Sequence, residues 1–118
     1  MKYNSIEDFV PSGSDFHASR QLFLELGFNI VWESGDNAGF ENNGCRFILQ
    51  NYNVKEFAEN LMMRGTVVDL DEFWRNLSGS NLTEKFGVNL VEPTDVPWGR
   101  EVNMIDIVEV CWHFAEGS

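Results

Sequence analysis

The feature that most constrains this chain is a repeated order of local signals. An extended segment, a helix and then further extended segments occur twice within 118 residues. That order, a strand, a helix and then strands, repeated, is unusual for an α+β domain of this size. In the first repeat, Ile6 to Pro11 reads as a strand closed by the turn Ser12-Gly13-Ser14. Asp15 then caps a helix to about Leu26, with Ala18, Leu22, Phe23 and Leu26 on its apolar stripe and Gly27 at its end. Phe28 to Glu33 predicts a strand with Phe28, Ile30 and Trp32 on one face. After the turn residues 34–37, segments 39–41 and 45–51 flank Asn42-Asn43-Gly44, where Asn-Gly signals a hairpin.

Residues 52–60 read as a connector with a short helical turn, and the second repeat opens with a strand from Leu61 to Val68. Asp69 or Asp71 caps a helix through Leu77 that sets Leu70, Phe73, Trp74 and Leu77 along one side. A second short helix, Leu82 to Phe86, is ended by Gly87. Strands are expected at Val88 to Val91 and Glu101 to Ile105, separated by a loop over residues 92–100, and finally at Val108 to Phe114. One domain is therefore expected, built of modules at approximately 1–55 and 56–118.

Charge narrows the partners. Nineteen acidic residues face eight basic ones, a formal charge of −11, so the chain lacks the Lys/Arg clusters that neutralise nucleic-acid phosphate or an anionic membrane. Such a balance serves solubility or draws cationic ligands, and charge alone does not separate the two. No apolar run reaches the roughly 18 residues of a membrane span, and MKYNSIEDF has no apolar signal region, so a cytoplasmic protein is expected. Cys45 and Cys111 lack CxxC or CxxH spacing and are expected as buried thiols. No GxSxG elbow, P-loop or dinucleotide fingerprint occurs, and no carboxylate pair stands out as acid and base.

Three segments carry a family likeness. They are SDFHASRQLFLELGFNIVWE at 14–33, VVDLDEFWRNL at 67–77 and PWGREVNMIDIVEVCWHFAE at 97–116, the last being the most specific. Together they resemble the vicinal-oxygen-chelate superfamily of glyoxalases, bleomycin resistance proteins and dioxygenases, and most of all its bleomycin-resistance branch. The resemblance implies two βαβββ modules, each curling a mixed sheet around a half-open cup. It also implies a homodimer with ligand grooves between subunits and an exchanged N-terminal strand, here Ile6 to Pro11. One departure is visible. The family's last hairpin carries Asp-Pro-x-Gly, whereas this chain reads Asp106-Ile107-Val108-Glu109, which leaves the register of the final strand open.

Metal-using members place His, Glu or Gln on strands of both modules, and about three must converge. By the flanking motifs those positions fall near Asp8, Leu49, Met63 and His113. Leu49 cannot coordinate and Met63 suits hard ions poorly, so Asp8 and His113 remain as weak metal candidates. No cofactor is therefore expected. His17 falls in the first helical turn, an exposed position, and His113 faces opposite to its neighbours Trp112 and Phe114.

The expected function is metal-independent binding of a cationic or aromatic small molecule, with a divalent-metal lyase, isomerase or dioxygenase as the alternative and a ligand-free interaction domain as a third reading. Trp98, between Pro97 and Gly99, is the leading stacking ring by resemblance, though it could equally pin its loop to the sheet. Trp32 fits either a groove or the core, Phe40 offers an apolar wall, and Trp74 and Trp112 read as packing. Glu33, Asp36 and Glu101 lie beside these aromatics and could draw a cation, while His113 could supply a polar groove group; solvated or structural roles stand beside each.

Overall fold

A computed structural model describes residues 1–117. The chain divides into two compact units, Met1–Val54 and a second that begins at Lys55. Each contains one four-stranded mixed sheet and follows the order βαβββ.

The first unit comprises β1 (Phe9–Pro11), α1 (Phe16–Glu25), β2 (Asn29–Ser34), β3 (Asn37–Asn42) and β4 (Cys45–Gln50), with sheet order β1-β4-β3-β2. β1 is shorter than the Ile6 to Pro11 expectation because only residues from Phe9 onward find β4 as a parallel partner, leaving Ile6 exposed. Asp15 caps α1 by accepting the Ala18 N–H at 3.0 Å, and Gly27 leaves the helix at φ +99°. Asn43 and Gly44 both take positive φ, the geometry of a two-residue hairpin turn, and this fixes Asn42 opposite Cys45. The core of the unit is aromatic. Phe23 of α1 meets Phe47 edge-on at 4.9 Å and Phe40 at 5.9 Å, so α1 covers the sheet face that carries those two rings.

β2 departs from simple alternation. Ile30 pairs with Phe40 but Trp32 pairs with Gly39, so Val31 is an extra residue in a β-bulge. A bulge reverses the facing of everything beyond it. Ile30 points toward α1 and Trp32 points away, rather than sharing a face as the sequence pattern suggested.

The second unit comprises α2 (Lys55–Asn60), β5 (Met62–Val67), α3 (Leu70–Ser78), α4 (Leu82–Phe86), β6 (Asn89–Val96), β7 (Gly99–Ile105) and β8 (Cys111–Glu116). Its sheet order, β5-β8-β7-β6, repeats the first in topology, with the β5–β8 pair parallel. Asp69 caps α3 through the Glu72 N–H at 3.0 Å. Phe73 of α3 packs on Phe114 at 4.7 Å, so the helix covers the face holding Trp112 and Phe114. Val102 and Met104 share that face and are fully buried.

Two local expectations change here. Residues 92–100 are not a long loop: β6 and β7 run to a tight turn at Pro97-Trp98, with Val96 opposite Gly99 and one extra residue absorbed between Val91 and Thr94. The last hairpin keeps a left-handed residue without glycine, because Glu109 adopts φ +75°. Asp106 closes that turn. Its Oδ1 accepts the Val108 and Val110 N–H groups and its Oδ2 accepts the Trp112 indole N–H, each at 3.0 Å. Burial pushes the Asp106 carboxyl above its usual value, against the pull of those donors. The register follows as Ile105 opposite Cys111, so the final strand starts later than Val108.

Among the described residues no helix is long and apolar enough to cross a membrane, which leaves strand-built spans untouched.

Candidate functional site

Each sheet has one face under its helix and one face turned away from it. On the first sheet the face away from α1 carries Phe9, Ile48, Gly39 and Trp32 in register across all four strands. Trp32 is 42 % exposed and its indole lies flat on Gly39. A Cβ at residue 39 would stand 2.6 Å from indole Cδ1 and Cε2, so only glycine admits the ring there. Phe9, 48 % exposed, ends the row. Glu41 and Arg46 pair at 2.7 Å on the same face.

The other first-unit candidates lie elsewhere. Phe40 is fully buried against Phe23 and Phe47, so it is core rather than a groove wall. Glu33 pairs with Ala38 and faces the α1 side, where its Oε1 accepts Arg20 Nε at 2.9 Å and Nη2 at 2.7 Å. Asp36 is exposed in the β2–β3 turn, and its carbonyl accepts the Asn51 N–H. Leu49 is fully buried and pairs with Ala38 on the helix-facing side, so the residues of β4 on the free face are its neighbours Ile48 and Gln50.

On the second sheet the face away from α3 is polar. Cys111 and His113 alternate with Trp112 and Phe114 along β8, Asn103 stands opposite His113, and Glu101 lies two residues further along β7. Glu101 is 4 % exposed and gathers three side chains. Its Oε1 meets His113 Nδ1 at 2.8 Å and accepts Asn103 Nδ2 at 3.2 Å, while its Oε2 accepts Trp98 Nε1 at 3.1 Å. The His113 bond is the main reason the Glu101 carboxyl lies below its usual value; the Trp98 and Asn103 donors help, and burial opposes. Sγ of Cys111 lies 3.4 Å from His113 Nε2. Trp98 itself is 68 % exposed at the hairpin tip. Arg64 is the register partner of His113 on β5 and shares its face.

Trp98, Glu101 and His113 therefore meet in one cluster. Asn103 and Cys111 complete it, Arg64 flanks His113 in strand register, and all three were missed by the sequence reading. The signal for Cys111 was available, since Cys-x-His on a strand puts both residues on one face. Gly39 was signalled too, as a lone glycine inside a strand.

The donor set does not suit a catalytic metal. Among the described residues no three His, Cys, Asp or Glu side chains form a group that could hold an ion. Both His113 ring nitrogens have protein partners, Arg64 lies on the same face as its register partner, and Met63 faces the Trp112 side. Neither thiol matches the expected burial, for Cys45 is exposed and Cys111 is half-buried.

No family model matches the sequence, and no curated protein matches it. Solved structures do match. A bleomycin-binding protein from bleomycin-producing Streptomyces verticillus, complexed with copper(II)-bleomycin, superposes at TM-score 0.80 and 18 % identity over 100 % of this chain and 99 % of that one. The chain has the vicinal-oxygen-chelate fold. The bleomycin resistance determinant encoded on transposon Tn5 matches at TM-score 0.79 and 15 % identity, covering 97 % and 98 %. The same fold appears in the fosfomycin resistance protein FosX from Mesorhizobium loti, at TM-score 0.74 and 12 % identity over 100 % and 95 %. A drug-binding protein and a second kind of resistance protein thus share this fold, and the fold by itself assigns no function.

Proposed function

We propose that the protein is a metal-independent small-molecule binder of the bleomycin-resistance type, sequestering a cationic or aromatic ligand. The carrying observation is Trp98. An indole 68 % exposed at a hairpin tip is nonetheless tied through Nε1 to a buried carboxylate that two further side chains hold in place. Such a ring is pre-oriented for stacking, and little rotamer entropy is lost when a ligand arrives. A cation over the indole face gains about 0.5–2 kcal/mol, and the formal charge of −11 favours its approach. Glu101 acts by holding Trp98. His113 lends a polar edge, and the first unit by itself carries a separate flat apolar surface where Trp32 lies on Gly39, with the exposed Asp36 adding to that unit's negative charge.

In this reading both modules act as one domain of a cytoplasmic homodimer, with the groove at the subunit interface and the N-terminal strand exchanged. Three observations support exchange: β1 adds only three residues to the edge of β4, Gly13 follows it at φ +76°, and Tyr3 and Ile6 stay exposed in front of it. The deciding experiment is titration with metal-free bleomycin, followed by tryptophan fluorescence and by calorimetry. A saturable response that weakens at least tenfold in Trp98→Ala is expected. No saturable heat or quenching with wild-type protein overturns the proposal.

A further inference from the structure

We propose that Cys111 is the nucleophile of a Cys–His–Glu triad that captures an electrophilic ligand, such as an α,β-unsaturated carbonyl compound, as a thioether. The geometry is that of a base positioned by a carboxylate. Glu101 Oε1, 2.8 Å from His113 Nδ1, fixes the ring tautomer with its proton on Nδ1. Asn103 Nδ2 also lies 2.9 Å from that nitrogen, but the ionised Glu101 carboxylate can only accept, so the Nδ1 proton is directed to Oε1, which takes an Asn103 hydrogen as well at 3.2 Å. Nε2 is then a bare acceptor, and it lies 3.4 Å from the Cys111 sulfur. All three groups stand on the sheet face away from α3, with the His113 side chain 27 % exposed and Glu101 5 % exposed.

Burial holds the Cys111 thiol above its usual value, and the charges of Glu101 and Asp106 add to this. The sulfur is therefore stored as S–H, and attack must be coupled to proton transfer. A sulfur lone pair forms the C–S bond at the β-carbon while the C=C π pair moves to the α-carbon as an enolate. The thiol proton passes to His113 Nε2, giving an imidazolium that faces Glu101, and then to the α-carbon. No atom is lost and no oxidant is needed. This capture is independent of cation stacking on Trp98, so either reading can fail alone.

N-ethylmaleimide supplies the test, with the exposed Cys45 as an internal reference in the other unit. At pH 7, peptide mass spectrometry of intact protein labelled for graded times should show Cys111 modified about tenfold faster than Cys45, the reverse of their exposure. His113→Gln should lower the Cys111 rate at least tenfold and leave the Cys45 rate unchanged. Glu101→Gln, isosteric but unable to stabilise the imidazolium, should lower it severalfold while circular dichroism confirms a cooperative unfolding transition. A wild-type Cys111 no faster than Cys45, or a fast Cys111 indifferent to both folded variants, overturns the triad.

Discussion

The two sheets share one strand order and one pattern of parallel and antiparallel pairing, yet the centres of their helix-free faces differ in chemistry. The first presents Phe9, Ile48 and a tryptophan laid on bare backbone at Gly39. The second presents Glu101, Asn103, His113 and Cys111 bonded to one another. Topology decides which residues reach a free face, and alternation leaves every second position at liberty to differ. The core faces, by contrast, are alike in chemistry, with aromatic rings packed under a helix in both units. A repeat of this kind preserves its core and diverges at its sites.

The second unit depends on buried carboxylates, and the first does not. Asp106→Ala should therefore give the largest loss, about 3–4 kcal/mol by chemical denaturation, because three buried or half-buried donors lose their acceptor. The matching test of the first unit is Gly39→Ala, where the new methyl group must displace the Trp32 indole. A loss of about 1–3 kcal/mol with a red-shifted tryptophan emission is expected. Gly35→Ala, whose Cβ would meet nothing within 4 Å, serves as the control and should be near neutral. Equal behaviour of the two glycines would remove the case for a supported platform.

Acid should also separate the faces. Glu101 has a lowered folded-state value, so its stabilising contribution is complete above the unfolded value near 4.5 and is lost as pH falls through the folded one. Glu101→Gln should flatten the acid limb of the stability profile below about pH 4.5, read by unfolding midpoints across pH. Asp106 runs the other way. Its raised value disfavours the charged form in the folded protein, so its ionisation opposes folding as pH rises. The smallest expected effect is a gain. Glu109→Gly should stabilise the last hairpin by about 1 kcal/mol, since a left-handed φ of +75° strains any residue with a Cβ.

Much of the fold was legible because its signals are local. Asp15 and Asp69 act as the caps their positions implied, α4 spans Leu82–Phe86 with Gly87 after it, and Asn43-Gly44 makes its turn. Errors arose where a long-range partner overrode the local pattern. The bulge at Val31 turns Trp32 away from Ile30, a decision made by pairing with β3. The segment 92–100 looked like a loop because Pro93, Pro97 and Gly99 are turn residues, but β7 offered it a pairing edge. Phe40 looked available until Phe23 and Phe47 enclosed it, and Glu33 looked free until Arg20, thirteen residues earlier, reached it.

The sequence by itself determined the elements, their order and the two-module plan, since caps, turns and apolar periodicity act over a few residues. It also supplied Trp98, Glu101 and His113 as site candidates through their shared motif. Only the tertiary structure decided that these three meet, that Cys111 and Asn103 join them, and that Trp32 rests on Gly39. Strand register does this work. It is set by pairing between distant segments, and a shift of one residue sends a side chain to the opposite face.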